Sequence, residues 1–162
     1  MVLCRGWFIP HLHHLELHYC PKLRGMPHIL PSLVNLVIWD CPELIALPML
    51  PSLARLDGCC NEMIWSSIPQ DLISRLQDLS ICEFEDLASL PLENLYAIRE
   101  FNISSSQQNT SHVAFLELHL CNLVFLKRFK IRRCPGIWFS PNHKLPPALQ
   151  VLEILDCPLL EE

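Results

Sequence analysis

The sequence predicts an α/β solenoid with a concave parallel β-sheet of about seven strands and irregular or 3₁₀ convex segments, one of them a short helix. Two observations predict it. A leucine-anchored frame recurs at intervals of 20 to 28 residues, and Cys-Pro pairs follow several copies of that frame; "LELHYCPKL" (15–23) and "LVIWDCPEL" (36–44) are two such copies, 21 residues apart. Units this short cannot bury their own apolar face, so we expect neighbouring units to stack.

Each copy of the frame predicts one short strand. The anchors are Leu15, Leu36, Leu56, Leu79, Phe101, Phe129 and Leu152. An aliphatic residue follows two positions after six of the seven anchors, and such alternation directs every second side chain to the same face of a strand. This is the leucine-rich-repeat pattern, L-x-x-L-x-L-x-x-N/C. We therefore predict a leucine-rich-repeat domain of about seven repeats over residues 11–162, preceded by a short segment or partial cap over 1–10.

The residue five positions after the anchor predicts a turn under the sheet. The structural turn positions are Cys20, Cys41, Asn61, Cys134 and Cys157. A thiol or amide there can point inward and satisfy backbone groups that would otherwise be buried without partners. Proline follows each of the four cysteines and ends the strand, and the proline-rich return segments favour extended or 3₁₀ conformations.

The 28-residue interval between Phe101 and Phe129 is the least regular part of the frame. Residues 113–123 also match the repeat template locally, but they lie too close to both anchors for two full coils. The spacing therefore predicts a single coil. We expect an exposed polar loop at "SSSQQNTS" (104–111) and a helix from His112 to Leu126 with an apolar face.

Composition limits the classes of function. Nine cysteines is an odd count, the N-terminal segment is a poor secretory signal, and a chain of 162 residues can bury a core without disulfides. We therefore predict thiols and a reducing, cytoplasmic location, although Cys59 and Cys82 would lie close enough on adjacent strands to pair. A net charge of −5 and broken apolar runs predict no nucleic-acid binding and no membrane span.

The repeat style resembles a known family. The "CPxL" turns, the "LxSLP" continuation at 87–91, the irregular repeat lengths and the proline-rich returns are similar to the C-terminal leucine-rich-repeat region of plant nucleotide-binding leucine-rich-repeat (NLR) disease resistance proteins. The resemblance implies a sensor and autoinhibitory region of a cytoplasmic immune receptor. Its expected partners are a pathogen effector, a host protein that the receptor guards, and the nucleotide-binding domain of the same receptor.

The chain departs from those receptors in lacking a phosphate-binding loop. None of its four glycines, at 6, 25, 58 and 136, is followed by lysine, so the G-x-x-x-x-G-K-[ST] motif is absent. We therefore predict no nucleotide cofactor and no catalytic residues in this chain.

The histidines and cysteines bear on two other kinds of chemistry, a metal site and a cysteine nucleophile. Four histidines lie close together in the sequence, at His11, His13, His14 and His18, and histidine is a common zinc ligand. A zinc site needs three or four ligands around one ion. Two alternating histidines on a surface strand are more often solvated, so we predict no metal. A cysteine nucleophile would need a partner base that no local motif supplies, so we expect the turn cysteines to be structural.

Two alternative functions remain open at this stage. Sequons at Asn102 and Asn109 favour a cell-surface or secreted leucine-rich-repeat protein. A substrate adaptor of an F-box type ubiquitin ligase also uses cysteine at the repeat turn, although no F-box precedes these repeats.

The outward side chains of the predicted strands are the candidate binding residues, because solenoids of this kind bind partners on the concave face. The candidates are His14, Glu16, His18, Trp39, Arg55, Asp57, Arg128, Lys130 and Arg132. Trp39 is the expected hot spot. Arg128, Lys130 and Arg132 form a basic patch that we expect to dock on an acidic protein surface.

Overall fold

The chain folds as a leucine-rich-repeat-type solenoid with a parallel seven-stranded sheet. A computed structural model describes residues 8–59, 64, 67–82, 92–105, 116–117, 120–139 and 144–160. The strands of the described residues are β1 (His14–His18), β2 (Asn35–Trp39), β3 (Arg55–Cys59), β4 (Asp78–Ile81), β5 (Glu100–Ser104), β6 (Leu116–Glu117), β7 (Arg128–Arg132), β8 (Ile137–Trp138) and β9 (Val151–Leu155). The seven-stranded sheet has the order β1-β2-β3-β4-β5-β7-β9, so each coil of the chain adds one strand beside the previous one.

The register of the sheet confirms the predicted frame. Every pair of neighbouring strands is parallel and aligned anchor to anchor, from Leu15 beside Leu36 at one edge to Phe129 beside Leu152 at the other. Because the alignment never shifts, side chains at equivalent repeat positions form continuous rows across the sheet. Register therefore fixes which side chains share the concave face.

The core lies beneath the sheet and is formed by the inward side chains of the strands and the leucines of the return segments. Phe101 and Phe129 stack with ring centroids 5.6 Å apart, and both are fully buried. Leu30, Leu33 and Leu53 from the return segments pack in the same cluster. Burial of each such side chain stabilises the fold by roughly 1.5–3 kcal/mol, which makes the stacked leucines the main source of stability.

The four Cys-Pro turns share one geometry. The residue before each cysteine has a positive φ, between 51° and 57°, at Tyr19, Asp40, Arg133 and Asp156. This left-handed residue reverses the chain at the end of the strand. Each following thiol then donates to the carbonyl of the residue two positions earlier, over 3.2–3.4 Å, at Cys20, Cys41, Cys134 and Cys157.

The convex segments are mostly extended, as the prolines predict. Ile29 and Met49 on successive return segments form an isolated parallel bridge, and the Leu30 amide donates to the Met49 carbonyl at 3.0 Å. A single helical turn, α1 (Gln70–Ile73), buries Leu72 and Ile73. Leu92–Asn94 and Pro158–Leu160 are 3₁₀ turns.

The helix predicted from His112 to Leu126 is wrong over its described part. Leu116–Glu117 is β6, which pairs in parallel with β8 in a separate two-stranded sheet, and turns occupy most of 121–125. The apolar spacing over this stretch fits both a helix and the repeat template, and the local template match was the better guide. The prediction of a single coil is confirmed, because β5 pairs directly with β7.

In the part of the chain that the structure describes, no helix has the length and apolar character needed to cross a membrane.

Candidate recognition surface

The outward side chains of the sheet form three parallel rows on the concave face. The first row runs from His14 through Arg55 to Val151, the second from Glu16 through Asp57 to Glu153, and the third holds His18 and Trp39 at one end and Arg132 and Leu155 at the other. The nine predicted binding residues all occupy these rows. Sequence reasoning therefore placed them together correctly, while their part in binding stays a prediction.

Most of the described charged side chains on this face form ion pairs with a neighbouring strand. Arg55 pairs with Asp78 across β3 and β4, and Arg128 pairs with Glu100 across β5 and β7. Glu153 on β9 contacts two cations of β7, Lys130 at 3.1 Å and Arg132. These two cations hold the pKa of Glu153 below its ordinary value, Arg132 having the larger effect.

The charge of β7 is only partly offset by its partners. The segment from Lys127 to Arg133 carries five cations, and the carboxylates that pair with it are Glu100, Glu153 and Asp156. The difference, five positive minus three negative, leaves a local charge of +2 in a chain whose net charge is −5. Within the basic patch itself, Arg128, Lys130 and Arg132 are paired with Glu100 and Glu153, so three positive minus two negative charges leave an excess of +1.

At the first strand, Glu16 bridges two histidines. Its carboxylate lies 2.8 Å from His14 Nε2 and 3.2 Å from His18 Nε2. These hydrogen bonds, His14 first, lower the pKa of Glu16. Within the described ranges, no group of three or more histidine, cysteine or carboxylate side chains is arranged to hold a metal ion.

Two adjoining depressions lie on the concave face. The larger, which we call the central depression, has a volume of about 480 Å³ and is lined by residues that include Trp39, Asp57, Ser80, Asn102, Lys130 and Arg132. The smaller, the edge depression, has a volume of about 380 Å³ and is lined by Trp39, Ser104, Arg132 and Leu155, among others. The half-buried indole of Trp39 therefore contributes to both.

Asp57 differs from the other concave carboxylates in its surroundings. It lies half-buried in the second row between Val37 and Ser80. Burial raises the pKa of Asp57, and the charge of His18 only partly opposes this effect. The Asp57 carboxylate is thus partly shielded from water. Most of the other described charged groups on this face are in ion pairs.

The expected proximity of Cys59 and Cys82, at the ends of β3 and β4, stays a prediction. Strand β4 ends at Ile81, whose partner is Gly58, and Cys82 is a buried thiol. Cys82 follows directly after the strand and lines both depressions of the concave face. The side chain of Cys59 lies outside the described part of the chain, as do the turn position Asn61 and the predicted loop after Ser105.

The sequon at Asn102 lies in the middle of the recognition face. The Asn102 amide donates to Ser80 Oγ at 3.2 Å, and both side chains are half-buried. A glycan on Asn102 would be attached to the nitrogen that makes this hydrogen bond and would cover the central depression. The second sequon, at Asn109, lies outside the described residues.

Two features of the site were not predicted from the sequence. The residues with left-handed backbone before the turn cysteines could not be recognised from the sequence, because none of them is a glycine. Two of the four are aspartates, a residue type that adopts this conformation more often than most others. The sharing of Glu153 by Lys130 and Arg132 depends on side-chain conformations that register alone does not define.

Comparison of the chain with models of protein families, with curated proteins and with solved structures found no match.

Proposed function

We propose that the chain is a non-enzymatic protein-recognition module that binds its partners on the concave face of the sheet. The observation that carries this proposal is the unbroken register of seven parallel strands. It aligns charged, polar and aromatic side chains in rows on one face, while the other face is committed to the core. An extended surface of this kind is what repeat solenoids use to bind proteins.

The more specific form of the proposal follows from the family resemblance. On that basis the chain is the sensor and autoinhibitory region of an intracellular plant immune receptor. Its partners would be a pathogen effector or a guarded host protein and the receptor's own nucleotide-binding domain. The alternatives are a cell-surface protein, which the two sequons favour, and a ubiquitin-ligase adaptor; the half-buried position of Asn102 and its hydrogen bond to Ser80 are unfavourable to a glycan there.

The cations of β7 are the proposed contact with an acidic partner surface. Arg128, Lys130 and Arg132 face the same side of the strand, and the excess positive charge around them would speed the approach of an acidic protein. Their ion pairs with Glu100 and Glu153 are exposed, and such pairs contribute only about 0–1 kcal/mol to stability. A partner carboxylate could therefore replace them at little cost.

The test is association of the chain with the nucleotide-binding domain of an NLR receptor, measured at several salt concentrations. Changing Arg128, Lys130 and Arg132 together to Glu should weaken association, and the effect should shrink as salt rises. Because this reversal also places like charges beside Glu100 and Glu153, a loss of binding alone could reflect local distortion.

A gain-of-binding variant removes that ambiguity. Glu153→Gln leaves Lys130 and Arg132 without their shared carboxylate, so it should strengthen association at low salt. Glu43→Gln is the matched control, because it releases Arg24 from a 2.7 Å ion pair outside the concave rows. No change in binding for both the triple reversal and Glu153→Gln, with the fold intact, would refute the proposal for this surface.

A further inference from the structure

Asp57 is a half-buried carboxylate that lines the central depression of the concave face. The other carboxylates on the strands of the seven-stranded sheet all have cationic or histidine partners; they are Glu16, Asp78, Glu100 and Glu153. Among the residues that the structure describes, Asp57 makes no ion pair within 4 Å. Its neighbours in the second row, Val37 and Ser80, are neutral.

An aromatic ring lies beside this carboxylate. Trp39 is one strand away and two residues further along, since Trp39 aligns with Cys59 and Val37 aligns with Asp57. Strand spacing and rise place the two Cα atoms about 8 Å apart. Both side chains line the central depression, and both are half-buried.

A carboxylate beside an indole is chemically suited to a cationic side chain. The carboxylate accepts charge-assisted hydrogen bonds, and the indole face attracts the cation through its quadrupole. Arginine suits this arrangement best, because its planar guanidinium can stack on the ring while its N–H groups donate to the carboxylate.

We propose that Asp57 and Trp39 form a subsite for the cationic side chain, arginine above all, of a protein segment that lies across the concave face. This inference rests on the proposed function and names the chemistry of its ligand. Burial raises the pKa of Asp57 more than the charge of His18 lowers it, and a cation of the bound segment would oppose the effect of burial further.

A cation in the same depression suggests a second feature of the bound segment, an acidic residue. Lys130 lies in the same row as Asp57, three strands away, and lines the central depression. Three strand spacings amount to about 14 Å, which an extended chain spans in about four residues. The segment that fits therefore carries an acidic residue about four positions from its arginine.

The test uses the pentapeptide Arg-Ser-Thr-Ser-Glu, acetylated and amidated at its ends, and the same peptide with citrulline in place of arginine. Citrulline keeps the shape of arginine but is neutral. Binding is followed by NMR through the indole N–H signal of Trp39, assigned with Trp39→Phe. The arginine peptide should shift this signal saturably, and the citrulline peptide should bind at least about tenfold more weakly, as expected for loss of a charged hydrogen bond.

Protein variants complete the comparison. Asp57→Asn should weaken the arginine peptide by a similar factor and leave the citrulline peptide nearly unchanged, because the two changes remove the same interaction. Glu93→Gln, which removes an exposed carboxylate from the return segment before β5, should have no effect.

Equal binding of the two peptides, indifference to Asp57→Asn, or no saturable shift of the Trp39 signal would each overturn the subsite. Any of these results would leave the proposed function standing, because docking through β7 does not require Asp57. Conversely, unchanged association of the β7 variants would refute that docking surface without affecting the peptide result.

Discussion

Trp39 on β2 and Arg132 on β7 line the same two depressions, although three strands of the sheet lie between them. The two side chains are the largest groups in the described part of the third row, and Ser104, which lies between them, is small. The two depressions are therefore lined by an aromatic side chain from β2 and a cationic side chain from β7. This arrangement suits a narrow segment of a partner better than a flat surface.

The first prediction concerns the half-buried state of Trp39. Removing a fully buried tryptophan costs about 3–5 kcal/mol, whereas Trp39 is only half-buried. We expect Trp39→Ala to reduce the free energy of unfolding by clearly less than that range, as measured by urea denaturation. A loss within the core range would show that Trp39 is a structural residue and would remove it as a binding hot spot.

The second prediction concerns the stability contribution of Asp57. Burial penalises its charged form, so its pKa is raised in the folded state and its ionisation opposes folding above that value. Asp57→Asn should therefore raise the thermal midpoint at neutral pH. As pH falls through the raised pKa toward the ordinary aspartate value, the carboxyl becomes neutral in both states and the gain should disappear.

A series of thermal melts from about pH 7.5 to about pH 3 tests this sign, because the unfolded aspartate becomes neutral only below about 3.9. Glu93→Gln provides the control for a carboxylate that is exposed. If Asp57→Asn lowered the midpoint at neutral pH, the charged form would be stabilising and the carboxylate would already have its partner.

The third prediction compares equivalent anchors at different places in the sheet. Leu36 is 1% exposed, whereas Leu152, at the same repeat position in β9, is 41% exposed. Leu36→Ala should cost about 2–5 kcal/mol, as is usual for a buried leucine. Leu152→Ala should cost less than half as much in the same urea experiment. Equal losses would mean that the inward face of β9 is covered in solution.

The fourth prediction concerns thiol reactivity. Cys41 is buried, and burial is the main cause of its raised pKa, while Cys121 is exposed. Since the thiolate is the reactive form, iodoacetamide should label Cys121 rapidly and Cys41 only after denaturation. Peptide mass spectrometry of native and urea-unfolded samples measures both rates. Rapid native labelling of Cys41 would contradict the turn geometry.

Most of the fold could be predicted because a solenoid repeats its strands in a fixed register. Leu36 and Phe129 can be recognised as equivalent anchors from the sequence. Since side chains of a strand alternate between its two faces, the anchors then define which residues of each strand lie in each row. The turn thiols could also be predicted, since a Cys-Pro pair both ends a strand and supplies an inward polar group.

The remaining features depend on physics that the repeat pattern does not contain. Cys82 lies in a copy without a Cys-Pro turn, and there the strand ends one residue earlier than the frame predicts. The short β6 strand has a partner, β8, that lies 21 residues away and carries no repeat signal of its own. The ion pairs of Glu153 depend on side-chain conformations and the mutual distances of charges across strands.

The central claim is that the concave face binds proteins, and mapping of selected peptide ligands tests it most directly. Peptides from a displayed random library would be selected on the intact chain, and their affinities measured on variants of both faces. The account predicts that Trp39→Ala and Arg132→Gln weaken most selected peptides by at least about tenfold, while the exposed return-segment variants Met49→Ala and Glu93→Gln leave them nearly unchanged. Peptides that depend on Met49 or Glu93 and are indifferent to Trp39 and Arg132 would contradict it.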